Sequence, residues 1–450
     1  MTRLSMPTST NGSKDFSLSS AAKRLKSLLP RLIVSLLLIV ITGCDRPALP
    51  PLPQWLPPLW GASATPTPLP ITTELRLATW PASPAVDEYF QQSIAAYQQT
   101  RPDTQVTLQV LPDYGTRLRT LLENESPPDI VRLNAFLLPD LVARGLLAPL
   151  PAALLTQADL PPLLQQMSEV NGTPYCLPHE VNMLALLYNR AHFDAAQLAY
   201  PTADWSWETL RTTAEQLTDA ETGRSGLVLP ADFSRWLPFL YSAGGAVTDS
   251  AAMSMTINSA AGLTALEFYS NLVLDGMAAT PTGLGNAWAG EAFAQEHAAM
   301  TIEGNWLIPY LATAAPTLAY GVAPLPTGPT GKATLAFATC YAMSARAADR
   351  TAALALIEFL TNAENQRRWF GLTAALPTHS ALLADWTLAY PEQSAFAQAF
   401  PYSYPWQFPP NFQPVVDSMN DGIQRIFGGF VLPPTVLAET EAVGNERLQR

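Results

Sequence analysis

From residue 74 onward the chain moves between two hydrophobic rhythms. In "ELRLATW" (74–80), Leu75 and Leu77 take every second position, the period of a strand with one buried face. The following "VDEYFQQSIAAYQQT" sets Phe90, Ile94 and Tyr97 at steps of four and three, one face of a helix. "TQVTLQVL" (104–111) returns to the strand period, and "YGTRLRTLLEN" (114–124) predicts a short helix. "PDIVRLN" (128–134) predicts a strand entered from a proline turn, and "LPDLVARGLLAPL" (138–150) a helix closed by Gly145. A βαβα order of this kind predicts a mostly parallel sheet with helices on both faces.

Strand-like runs at 175–177 and 183–188 come next, interrupted by Pro178-His179-Glu180. Ser206 is placed to cap a helix whose apolar stripe is Trp207, Leu210, Ala214 and Leu217. Further helices are predicted at 260–275, 289–298, 305–313, 350–369, 414–427 and about 434–447, with strands at 298–302, 318–323 and 335–343 between them.

The first 43 residues differ in kind. Six basic side chains (Arg3, Lys14, Lys23, Arg24, Lys26, Arg31) stand against one acid, Asp15, and precede the apolar run 32–41. A basic flank, a short apolar core and small residues at its end make a secretory signal. A helix of about 12 residues rises only ~18 Å, short of a hydrocarbon core of ~30 Å, so a spanning helix is the weaker reading. Ile41-Thr42-Gly43-Cys44 resembles a bacterial lipobox, which implies cleavage before Cys44 and lipidation of its sulfur. An ordinary cleaved signal with an incidental cysteine is the alternative. Residues 44–71 are proline-rich and read as a semi-rigid tether in extended, polyproline-like form.

Charge narrows the function further. The formal net charge is −12, and removing the signal leaves 19 basic and 36 acidic side chains. Lys332 is the only lysine after residue 26, so the basic footprint that nucleic-acid binding needs is absent from the sequence. The four histidines and the cysteines have no metal-ligand spacing, no HExxH or GxSxG occurs, and the one SxxK lies in the signal at Ser20–Lys23. No metal or other cofactor is expected. Outside the cytoplasm Cys176 and Cys340 could pair, but spacing alone does not bring them together.

Four stretches, in order, resemble the extracellular solute-binding proteins of ABC importers, of the carbohydrate-binding (family 1) type. They are "PPDIVRLNAFLLPDLVARGLLAPL"; "LLYNRAHFDAAQLAYPTADWSWETLRTTAEQLTD"; "AFAQEHAAMTIEGNWLIPYL", with Glu296-His297 where glycine and a basic residue are usual; and "YGVAPLPTGPTGKATLAFATCYAMSARAADRTAALALIEFLTNAENQRRW". The resemblance covers about residues 72–445. It implies a two-lobe α/β fold, periplasmic-binding-protein-like (type II), with a ligand cleft between the lobes. Carried over, lobe one is 73–178 with 340–372, lobe two is 184–334 with 377–445, and crossings fall near 178–180, 335–339 and 374–377. The implied function is capture of a sugar or oligosaccharide by lobe closure and delivery to the membrane subunits of an importer. The implied state is a monomer, lipid-anchored at the outer face of the bacterial cell membrane. A non-sugar solute, or a sensor role beside a membrane kinase, uses the same fold.

A sugar site needs flat aromatic platforms and a few polar groups for hydroxyls. The candidates are Trp80 at the carboxyl end of the first strand, Tyr114 after the second, and Asn134 after the third, where the family more often has Asp. Glu180 lies in the first crossing, Trp236 opens a lobe-two helix, and Trp288 precedes another. Trp306 in "EGNWLIPYL" matches the family's G-x-W, with Glu303 beside it, and Trp406 in "SYPWQF" is a candidate for the cleft mouth. For each aromatic the competing reading is a core position. A catalytic carboxylate pair such as Glu180 and Glu303 is compatible with the sequence, but the resemblance implies binding without cleavage. An anionic ligand would call on arginines, among which Arg117, Arg119 and Arg132 lie near lobe one.

Overall fold

A computed structural model describes residues 73–449; the signal, Cys44 and the tether lie outside the described residues. In chain order the principal elements begin with β1 (Thr73–Thr79), α1 (Pro84–Thr100), β2 (Thr104–Val110), α2 (Tyr114–Glu123), β3 (Ile130–Asn134) and α3 (Leu138–Ala143). The long strand β4 (Cys176–Asn189) leads to α4 (Trp207–Leu217), β5 (Ser225–Val228), α5 (Phe233–Ser242), α6 (Ala260–Leu274) and α7 (Ala289–Ala294). Then come β6 (Ala298–Gly304), α8 (Leu307–Ala314), β7 (Tyr320–Ala323), β8 (Thr334–Ser344), α9 (Arg350–Thr361) and α10 (Ala363–Thr373). The chain finishes with β9 (Ser403–Pro405), α11 (Gln413–Phe427) and α12 (Pro433–Leu448).

Lobe one grows from the first βαβα pattern. β1 lies parallel between β2 and β3. α1 is started by the Ser83 hydroxyl, which accepts from Val86 N, and it buries Tyr89, Phe90, Ile94 and Tyr97 against the sheet. α2 buries Tyr114, Leu118 and Leu122 on one face. Gly145 follows α3 at φ 69°, the left-handed turn that stops the helix. In lobe two, β6 runs parallel to β5 and antiparallel to the second half of β4, whose outer end also takes β7. There are two large apolar cores, one around Leu77, Phe90 and Leu356 that also takes in Leu187, Phe293 and Leu307, the other around Phe233, Trp236, Tyr269 and Ile423.

The strands β4 and β8 lie side by side in the middle of the large sheet. The first half of β4 pairs with β8 and the second half with β6. The expected break at Pro178-His179-Glu180 is not a break. Cys340 faces Pro178 and Thr339 faces Glu180, so His179 is an extra residue and the strand continues through a bulge. A bulge is where a proline, which cannot donate to the ladder, is tolerated inside a sheet. Cys176 and Cys340 form a disulfide across the same pair of strands, with Cα atoms 5.7 Å apart. Leu376 joins β4 here, its backbone exchanging two hydrogen bonds of 3.0 Å with Val181. The fully buried Asn305 ties this region together. Its side-chain oxygen accepts from Met183 N and its amide donates to Ala374 O, both at 3.0 Å.

Two predicted helices are shorter than their periodicity implies. The run 350–369 divides at Asn362, which ends α9 in extended conformation while its side chain accepts from Asn365 N to start α10. The run 289–298 stops at Ala294 because Glu296 adopts a left-handed φ of 61°. That is the position where glycine is usual, and the backbone explains why. Here the Glu296 carboxylate accepts from Asn189 at 2.9 Å, a local bond that offsets part of the roughly 1–2 kcal/mol cost of that conformation.

Candidate ligand cleft

β1 and β3 end at the same edge of the lobe-one sheet, and the chain after β2 turns back there into α2. A cavity of about 450 Å³ opens at that edge, lined by Trp80, Asp113, Tyr114, Asn134 and Thr339 among others. A second cavity of about 750 Å³ continues from it, sharing Gly115, Thr116, Asn134 and Leu137. Its lobe-one wall adds Arg119, Phe136, Asp140 and Arg144, and its opposite wall is Trp406, Asn411, Phe412 and Arg447. The carboxyl ends of strands in an open α/β sheet are where ligands bind, and both volumes fall in the usual range for ligand pockets.

Trp80 is fixed from behind. The Arg132 guanidinium lies over its ring at 3.9 Å. Arg132 is itself buried, donating to Glu180 at 2.9 Å and to the ring Nε2 of His179 at 3.0 Å. Glu180 accepts a further bond from the Trp369 indole at 2.6 Å. Burial pushes the Glu180 carboxyl up, but the Arg132 charge and the bonds from Trp369 and Thr339 outweigh it and hold it below its ordinary range. Burial, reinforced by Arg132, pushes His179 down to about 3, so the ring is neutral and accepts from Arg132.

Asn134 caps the short turn after β3, its side-chain oxygen accepting from Phe136 N at 2.9 Å. That bond sets Phe136 face to face with Trp406, with centroids 5.4 Å apart and planes at 18°. Trp406 is anchored to β8 by its backbone N–H, which donates to Ala336 O at 2.8 Å. Its ring also meets Phe233, Phe337 and Phe408. Tyr114 borders the inner cavity with its hydroxyl spent on Ala78 O, leaving the ring rather than the hydroxyl to the cavity. Arg144 crosses the cleft mouth from α3 to Asn411 at 3.3 Å while holding Asp140 at 2.9 Å.

The predicted residues therefore divide. Trp80, Tyr114, Asn134 and Trp406 line the cavities. Glu180 does not; its carboxylate is buried and consumed by Arg132 and Trp369. Trp236 is fully buried in the lobe-two core, because it falls on the inward face of α5. Trp288 packs on Tyr310 at 5.0 Å and lines neither cavity. Glu303 is almost wholly buried and receives Arg235 at 2.6 Å and the Trp306 indole at 2.9 Å, so it holds structure and lines neither cavity. Trp306 also stands outside the cavity walls, one ring removed from Trp406 through Phe337. Sequence reading missed Phe136, Thr339, Asn411 and Arg447. Phe136, two residues past a strand end, is the one whose position could have given it away.

Among the described residues no three His, Cys, Asp or Glu side chains group as metal ligands, and no helix is long and apolar enough to cross a membrane. What the cleft offers is aromatic faces beside hydroxyl, amide and guanidinium groups, a surface for a polar ligand with apolar faces.

The model of the bacterial extracellular solute-binding protein family matches residues 92–396. A putative binding protein of Brucella abortus is 22% identical over 397 residues, covering 84% of this chain and 94% of that one. An ABC substrate-binding protein of Listeria monocytogenes, solved with cycloalternan, superposes with a TM-score of 0.75 at 23% identity, covering 84% and 99% of the two chains. A receptor of Streptomyces glaucescens, solved without ligand and with acarbose, gives a TM-score of 0.73 at 22% identity, covering 84% and 98%. These likenesses carry the two-lobe fold.

Proposed function

Because the chain belongs to the bacterial extracellular solute-binding proteins, we propose that it captures a sugar or oligosaccharide between its lobes and hands it to the transmembrane subunits of an ABC importer. The observation that carries this reading is the pair of joined cavities with Trp80, Tyr114, Phe136 and Trp406 around Asn134 and Thr339. Pyranose rings present C–H faces to aromatic platforms and hydroxyls to amides and hydroxyls, and this lining supplies both. The solved relatives with cycloalternan and acarbose support the same ligand class. Two linked cavities favour an oligosaccharide over a single sugar.

In this reading the protein binds and does not cleave. The two carboxylates nearest a catalytic role, Glu180 and Glu303, are each tied up in an ion pair, with Arg132 and Arg235 respectively, and so are not available as a catalytic pair. The protein works as a monomer outside the cytoplasm, held to the membrane by a lipid on Cys44, with 44–71 as the spacer. Open and closed lobe arrangements interconvert, and ligand favours the closed one by its differential affinity.

Thermal-shift measurements with neutral and acidic oligosaccharides, peptides and polyamines test the ligand class. A saccharide at 100-fold over its Kd adds ~2.7 kcal/mol of stability. Trp406→Ala, checked for folding by circular dichroism, is expected to weaken that saccharide about 10- to 100-fold, the worth of one buried aromatic face. Stabilisation by peptides or polyamines and by no saccharide would overturn the reading.

A further inference from the structure

Three arginines border the outer cavity of a chain whose formal charge is −12: Arg119 and Arg144 from lobe one, Arg447 from the end of α12. Arg144 is neutralised by Asp140 at 2.9 Å. Arg447 is different. Its Nε is closed off from solvent and has no hydrogen-bond partner among the described residues. Its guanidinium forms no ion pair among the described residues, so an anion arriving in the cavity would supply the counter-charge it lacks. Arg119, exposed one turn into α2, faces the same cavity and forms no ion pair among the described residues. The inner cavity is charged in the opposite sense: Asp113 is the one ionisable acid or base on its wall besides the phenol of Tyr114.

The cleft is thus electrically polarised along its length, with a carboxylate beside Trp80 and two uncompensated guanidinium groups at the far end. We propose that the ligand is an acidic oligosaccharide bound in one direction. Its anionic group, a uronic carboxylate or a sulfate ester, meets Arg447 and Arg119. Its neutral, hydroxyl-rich residues lie toward Asp113 and Trp80. Arginine suits this task because its planar fork donates two parallel hydrogen bonds to either oxyanion. A ligand charged throughout is disfavoured, since Asp113 repels an anion at the inner end. The inference rests on the saccharide reading above and narrows it.

Calorimetric titration of the full-length protein provides the test, using tetrasaccharides that carry one uronic acid at one end, their carboxyl-reduced counterparts, and counterparts bearing a terminal sulfate. The acidic forms are expected to bind at least tenfold more tightly than the reduced ones, and whichever of carboxylate or sulfate gains more identifies the group. In Arg119→Gln/Arg447→Gln the ratio of acidic to reduced affinity should collapse to within twofold. Equal or tighter binding of the reduced forms overturns the acidic-ligand inference and leaves the saccharide reading standing. So does a preference that survives the double substitution. Binding of no saccharide at all overturns both.

Discussion

At the scale of single residues, the fate of a candidate was decided by partners that linear sequence does not reveal. Glu180 lies within β4 and Trp80 just past the end of β1, yet the first is consumed by a buried arginine while the second presents its ring to the cavity. Trp80, Tyr114 and Asn134 line the inner cavity, and each lies at or just past the carboxyl end of a strand that the sequence predicts. Trp236 and Glu303 line neither cavity, because an inward helix face and an ion pair with Arg235 become visible only after folding.

The buried cluster around Arg132 also has a pH signature. His179 titrates at about 3 in the folded protein against 6.5 when unfolded, so between those values the unfolded chain binds more protons. Stability is then full above pH 6.5 and falls as pH drops. Denaturant titrations at pH 7 and pH 5 are expected to differ by about 2 kcal/mol. His179→Gln, which keeps an acceptor for Arg132, should remove most of that difference. Equal stability of the unsubstituted protein at the two pH values would contradict the assignment.

At the scale of elements, periodicity located most strands and helices, and failed where a single residue overrides it. Pro178 reads as a strand breaker, and it would be one without the bulge that excuses its missing donor. Asn362 divides a continuous apolar stripe into two helices, and Glu296 ends one through its backbone angle. The disulfide joins elements 164 residues apart in sequence, a pairing no local pattern could give. It closes a long loop at the lobe-one ends of two crossing strands. Cys176→Ser/Cys340→Ser should therefore lower stability by about 2–4 kcal/mol, read from denaturant midpoints, and added reductant should reproduce the effect in the parent protein. Unchanged midpoints would show that the crossing strands hold without the bond.

At the scale of the whole molecule, the order of family-like stretches made the two-lobe architecture readable before any coordinates, and the fold agrees. The cleft's opposite wall was much less legible. It is assembled from Trp406, Asn411 and Arg447, which belong to the last 45 residues and reach the cavity only because the chain returns to β8 at β9. The proposed lipid anchor has its own readout: Cys44→Ser should move the protein from the membrane to the soluble fraction, and retention at the membrane would contradict it.

The central claim is that a saccharide is held between lobes that close on it. Small-angle X-ray scattering of the protein, alone and saturated with the saccharide that stabilises it most, tests this directly. The account predicts a smaller radius of gyration on saturation. A saccharide that binds while leaving the scattering curve unchanged would contradict it.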